Sequence, residues 1–233
     1  ALLLDVQVSG RPHPFAVRAP GEGPFLAAAL EPGASARVGV TRVSPWDDDE
    51  DIRLDPEAAR AVDVAAALLA DGAHAVEQLD WRPRGYAALF TTLWRTSAAR
   101  MTLTDAELEL VEPITAWLHA EGRRLTGAEV LEALAAASVF ERETIQAFAP
   151  FDAVLTPALG LSARPVGWFD PRDPARNFAQ QVQYAPYSSF VNVAGLPAIV
   201  VPVTSDAAGH PVCVQLIGRP GGDHPAVVDH PDV

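Results

Sequence analysis

Three short apolar runs, Phe151 to Thr156, Ala198 to Val203 and Val212 to Ile217, limit what this chain can fold into. Each is rich in β-branched residues and nearly free of the regular polar alternation of a half-wet strand, so each is predicted to be a strand covered on both faces. Such strands need helices to cover them. Thr104 with Glu107, and Thr126 with Glu129, have the S/T-x-x-E spacing in which the hydroxyl caps the third helical amide and the glutamate reaches back. The second of these helices carries Val130, Leu131, Leu134, Val139, Phe140, Ile145 and Phe148 before Pro150 stops it. Upstream, Arg37 to Val40 suits a strand, and Asp55-Pro56 opens a helix with an N-cap carboxylate and a proline at its first position. That helix should end near Asp71-Gly72, and His74 to Leu79 supplies a further strand, which makes residues 37–80 a strand, helix, strand unit with a parallel crossover. Together these elements predict a layered α/β architecture.

The ends differ from this body. Pro12, Pro14, Pro20, Pro24 and Pro32 crowd the first 36 residues, which predicts an extended, wrapping segment. The α/β part is expected over 37–223. A tail at 224–233, with Pro225 and Pro231 close together, is predicted not to be helical. No internal repeat or low-complexity tract divides the chain, so one domain, or part of one, is expected across 1–233.

Several chemistries are disfavoured. The net charge of -13 repels phosphate backbones and anionic lipid surfaces, so nucleic acid is not an expected partner. No apolar run approaches a spanning helix and the opening Ala1 to Leu4 is too short for a signal peptide, so no membrane is expected either. The single cysteine, Cys213, forbids an internal disulfide and fits a reducing compartment, with the cytoplasm as the expectation. The six histidines show no HxH or HxxxH spacing, and the acidic run Asp47 to Asp51 lacks the Gly and Glu of a calcium loop, so no metal site is expected. No GxGxxG or GxxxxGK[ST] motif occurs, and no cofactor is expected. Ser188-Ser189, flanked by Tyr187 and Phe190, lacks the glycine amides that usually surround a nucleophile, and it is predicted to be a polar helix or loop position. Cys213 lies within an apolar run with no cationic neighbour and is predicted to be a small buried hydrophobe.

Pro157 and Pro197 suit strand ends, and Gly195 allows a positive φ just before a strand. Aromatic residues gather in the irregular stretch 161–191, where they can line an apolar acyl or amine pocket. Trp168, Phe169, Tyr187 and Asn192 are accordingly the candidate substrate-binding residues. Core packing is the competing account of the aromatics, and a hydrogen bond to a nearby loop that of Asn192.

FDAVLTPALG at 151–160, PYSSFVNVAGLPAIVVPV at 186–203 and GHPVCVQLIGRP at 209–220 are each weak signals alone, but they occur in a specific order. In that order they resemble the carboxy-terminal motifs of the amidase signature family, closely over 151–220 and loosely over 1–150. The resemblance implies the carboxy-terminal part of that fold, a layered α/β/α with a mixed β-sheet, and 1–233 as a partial amidase domain. It also implies hydrolysis of a small-molecule amide by a lysine, a bridging serine and a nucleophilic serine, the two serines lying in a Ser/Gly-rich region that precedes this segment. The chain contains no lysine and no G-G-S-S-G run, so no catalytic residue is carried over. An apolar start at Ala1 to Val8 and the departure from the family pattern after Pro220 suggest truncation at both ends. The expectation is an incomplete amidase that needs a missing amino-terminal part, with homo-oligomer formation as the other partner expectation. The alternatives are a non-catalytic partner or binding module complementing a signature-bearing chain, and an unrelated α/β enzyme using Asp152 or Asp170 as acid and base.

Overall fold

The computed structural model of the chain describes residues 2–8, 25–30 and 33–220. The tail at 224–233 and most of the proline-rich stretch lie outside the described residues. Within the amino-terminal segment, residues 2–8 and 25–30 form α1 (Leu2–Val8) and α2 (Phe25–Leu30), while 33–36 carry no helix. None of the five prolines falls inside either helix. The Asp5 carboxylate accepts the amides of Phe25 and Leu26 at 2.6 and 2.9 Å, so α1 caps the start of α2.

The body is a five-stranded mixed sheet. Its strands are β1 (Arg37–Val40), β2 (Ala75–Gln78), β3 (Ala153–Pro157), β4 (Ala198–Ser205) and β5 (Pro211–Gly218), in the order β2-β1-β3-β5-β4. β1 is parallel to β2 and β3, while β5 is antiparallel to β3 and β4. The parallel crossover between β1 and β2 is made by α3 (Pro56–Asp71), as the pattern over 37–80 predicts. Both capping boxes form, at Thr104 on α5 (Asp105–Leu108) and at Thr126 on α7 (Gly127–Phe148). α4 (Tyr86–Ala99) precedes α5, α6 (Pro113–Gly122) lies between α5 and α7, and α8 (Pro174–Tyr184) and α9 (Ser189–Val193) precede β4.

Alternate residues of the central strands face opposite cores. Leu155, Val212 and Val214 meet Val38, Val40 and the α3 residues Ala61, Val62 and Ala65. Val154 and Ile217 point the other way, into a core holding Trp46, Trp81, Tyr86, Phe140, Phe148 and Phe190. That division makes the three layers. Gly39 shows why a strand this buried contains glycine, because a Cβ there would lie 2.8 Å from the Phe151 ring.

Two local expectations fail. Asp55 is the N-cap of α3 but makes no capping hydrogen bond with its side chain. Its carboxylate instead accepts the Ser162 amide at 2.9 Å and the Arg164 guanidinium at 2.8 Å, tying down the loop after β3, because charge-assisted partners outcompete one helix amide. β4 is also not covered on both faces, since Ile199 is 61% and Val200 53% exposed. It is the last strand of the described sheet, and an apolar run records only what a strand prefers, not whether a neighbour is present. Among the described residues no helix is long and apolar enough to cross a membrane.

Candidate functional site

A pocket of about 430 Å³ opens on the aromatic side of the sheet. Its wall begins with spacing on α4, where Tyr86, Phe90 and Trp94 fall four residues apart and so share one helical face. Their rings stack in series, Tyr86 on Phe90 at 5.7 Å and Phe90 on Trp94 at 5.4 Å between centroids. Trp46, in the turn after β1, meets Tyr86 and Phe90 edge to face at 5.3 and 5.4 Å. Phe178 on α8 and Phe169 in the preceding loop close the opposite side.

Three sets of hydrogen bonds hold these walls. The turn carrying Trp46 is fixed by Ser44, whose Oγ donates to the Pro186 carbonyl at 3.0 Å and accepts the Trp46 amide at 3.2 Å. Asp47 accepts the Ser44 amide in the same turn, and desolvation pushes its carboxyl above the usual range against that hydrogen bond. The loop bearing Phe169 is anchored through Asp55 at one end and α8 at the other. There Gln180 Nε2 donates to the Trp168 carbonyl at 2.7 Å and Gln180 Oε1 accepts the Asp170 amide at 2.7 Å.

Ser189, the first residue of α9, also lines the pocket. Trp46 Nε1 donates to its Oγ at 3.3 Å. The fully buried Tyr86 hydroxyl lies beside it without completing a hydrogen bond. Burial pushes that phenol far above its ordinary range, and Ser189 pulls it part of the way back.

Of the four residues expected to meet substrate, Phe169 lines this pocket. Trp168 stands behind it, with its ring 5.0 Å from Phe169 and 6.4 Å from Tyr184. Tyr187 lies elsewhere, buried, with its hydroxyl donating to the Arg42 carbonyl at 2.8 Å. Asn192 is on α9, where its amide returns to the Ser188 carbonyl one turn back at 3.1 Å. Trp46, Phe90, Trp94 and Phe178 are not legible as a group in the sequence because they come from a turn and two helices far apart in the chain, and only the four-residue spacing of Tyr86, Phe90 and Trp94 hints at a shared wall.

The remaining candidates have structural partners. Asp152 accepts the Arg37 amide at 2.7 Å and pairs with Arg219 at 2.9 Å. Asp170 takes the amides of Arg172 and Asp173, which hold its carboxyl below the usual range. Cys213 on β5 is partly buried. Among the described residues no group of three or more His, Cys, Asp or Glu could hold a metal ion.

Against known proteins, the family profile described as Amidase matches residues 24–227. AmiB2 of Mycobacterium tuberculosis strain H37Rv, assigned as an amidase, is 30% identical over 224 residues, covering 94% of this chain and 46% of that protein. One component of the glutamyl-tRNA(Gln) amidotransferase from Cereibacter sphaeroides strain ATCC 17029 is 40% identical over 97 residues, which is 41% of this chain and 19% of that protein. Among solved structures, 6-aminohexanoate cyclic dimer hydrolase superposes with a TM-score of 0.77 at 21% identity, over 94% of this chain and 50% of that one. At that identity the likeness concerns the fold. The chain spans about half the length, 46%, of the AmiB2 relatives that it matches along most of its own length.

Proposed function

The chain belongs to the amidase signature family, and from that premise we propose that it is the carboxy-terminal portion of an amide-bond hydrolase, catalytically incomplete by itself. One observation carries the incompleteness: the 17 basic residues are all arginine, so the lysine of a Lys-Ser-Ser triad has no source in this chain. What the chain contributes is sheet and pocket wall. In this reading Phe169 meets the substrate directly, Trp168 supports it, and Tyr187 and Asn192 fix the backbone on which the pocket is built.

The substrate is then a small-molecule amide. Residues 1–233 act as one partial domain, completed by an amino-terminal part that carries the signature serines. A reducing cytoplasm suits a protein with one cysteine. A second reading, a non-catalytic partner that complements a separate signature-bearing chain, draws support from β4, whose exposed Ile199 and Val200 offer an apolar strand to a partner. The Cereibacter relative is itself named as one subunit of an enzyme, which fits a protein working in company.

Amide hydrolysis by the purified chain over a panel of aliphatic and aryl amides tests both readings, alone and mixed with a signature-bearing amino-terminal fragment. Silence alone and activity on mixing is the expected result. Activity of the chain alone would overturn the proposal and require another nucleophile.

A further inference from the structure

None of the side chains lining the aromatic pocket carries a formal charge. An ionised ligand would lose its hydration there without gaining a counter-ion, which is costly, so the pocket suits uncharged groups. Its volume of about 430 Å³ falls within the size of small-molecule sites. The rings of Phe90, Trp94, Phe169 and Phe178 offer faces and edges to another flat ring.

The polar groups are placed unequally. Gln181 is exposed, and its Nε2 is occupied by Asn177 Oδ1 at 2.8 Å. Tyr184 packs its ring against Phe169 and Trp168 beside the mouth. Ser189 alone sits among fully enclosed neighbours, Trp46 and Tyr86.

Proton counting fixes what Ser189 can offer. An indole N–H only donates, so one lone pair of Ser189 Oγ is committed to Trp46. If Ser189 donated to Tyr86, the phenol proton would be left buried with no acceptor, which costs more than a hydrogen bond returns. The structure completes neither bond, and a phenol hydrogen turned toward the second lone pair of Oγ is the less costly direction. Among the described residues no acceptor takes the Ser189 proton, so it is available to a group in the cavity that Ser189 lines.

We propose that Ser189 is the specificity-determining group of this pocket, donating its hydroxyl hydrogen bond to a carbonyl oxygen or other acceptor on an uncharged aromatic group held between the α4 and α8 walls. The inference rests on the pocket being the place where the substrate's apolar group binds.

The test is a titration of the full chain followed by fluorine NMR, with three probes of similar shape: 4-fluoroacetophenone, 1-fluoro-4-isopropylbenzene, which lacks the acceptor, and 4-fluorobenzoate, which is charged. The ketone is expected to bind about 3- to 10-fold more tightly than the hydrocarbon, the range of one net hydrogen bond, and the benzoate more weakly than both. Ser189→Ala should erase the preference for the ketone while the hydrocarbon affinity stays within about twofold, the latter also reporting that the pocket remains folded. Trp46→Phe, which keeps a ring but removes the donor that orients Ser189, should reduce the preference as well. A ketone preference that survives Ser189→Ala, benzoate binding as tightly as the ketone, or no binding by any probe would each overturn the inference. The amidase reading fails separately. Hydrolysis on mixing with probe selectivity unmoved by Ser189→Ala would retain that reading and remove this one, whereas selective binding without hydrolysis would do the reverse.

Discussion

The two faces of the sheet bury apolar surface by different means. Under α3 the contacts are aliphatic, with Val40, Val62 and Leu155 enclosed almost completely. Under α4, α7, α8 and α9 they are largely aromatic, with rings meeting at steep angles, such as Trp46 on Tyr86 at 87° and Trp81 on Phe148 at 67°. Branched aliphatic chains interdigitate and leave little space, whereas flat rings meeting edge to face leave gaps at the margin of the cluster. The pocket lies at that margin. The roomier cavity therefore lies on the aromatic face, while a smaller one of about 260 Å³ opens beside Ala58 and Val212 on the aliphatic face.

The largest test of this division is Leu155→Ala. It should cost about 2 to 5 kcal/mol, seen as a lower urea midpoint with unchanged slope. Phe169→Ala, a larger truncation but at a site 37% exposed, should cost less than about 1 kcal/mol while weakening probe binding. Equal losses at the two positions would break the comparison.

Next in size is Gly122→Ala. A Cβ at Gly122 would lie 2.0 Å from the Arg95 carbonyl oxygen, so α6 and α4 would have to separate and carry Phe90 and Trp94 with them. A loss of about 1 to 3 kcal/mol with an altered near-ultraviolet circular dichroism spectrum is expected, and an unaltered spectrum would show that the pocket wall does not depend on this contact.

A smaller loss, about 1 kcal/mol, is expected from Thr126→Ala, which removes the capping box of α7. Because α7 covers the aromatic face, its fraying should lower pocket occupancy before it lowers the aliphatic core's hydrogen-exchange protection. Simultaneous loss of both would show that the faces unfold as one unit.

The smallest effect is electrostatic. Asp206, in the turn between β4 and β5, is held below the usual carboxylate range by His210 Nδ1 at 3.0 Å and by the backbone amides of His210 and Ala208. Since its folded value is the lower one, its contribution is present above the unfolded value of about 3.9 and fades as pH falls through the folded value. Asp206→Asn should remove that acid limb, and a carbon-13 titration of the Asp206 carboxyl should give a depressed midpoint. A midpoint at or above the unfolded value would remove the assignment.

The elements that the sequence foretold rest largely on local chemistry, although locally capped α8 was missed, and distant partners decide the outcome at Asp55, β4 and the pocket. Thr104 and Thr126 act on residues three positions away and both caps form, as does the strand, helix, strand unit that joins β1 to β2. Asp55 looks like a cap because caps are local, yet its partners Ser162 and Arg164 lie more than a hundred residues away. β4 has the composition of an enclosed strand and lacks the described neighbour that would enclose it. The pocket draws its walls from a turn, helices and a loop, and of the four candidates that the sequence offers only Phe169 is among its lining residues.

The order of strands in the sheet also sets a timetable. β1 can pair early with β2 while the chain is being made, but its other edge must wait for β3, and β3 in turn waits for β5. At synthesis rates of about 5 to 20 residues per second, the half-built sheet stands open for on the order of ten seconds. During that interval the aliphatic and aromatic residues alike face water or a chaperone, so the yield of folded protein in a cell should respond to translation speed between the codons for Gln78 and Gly218.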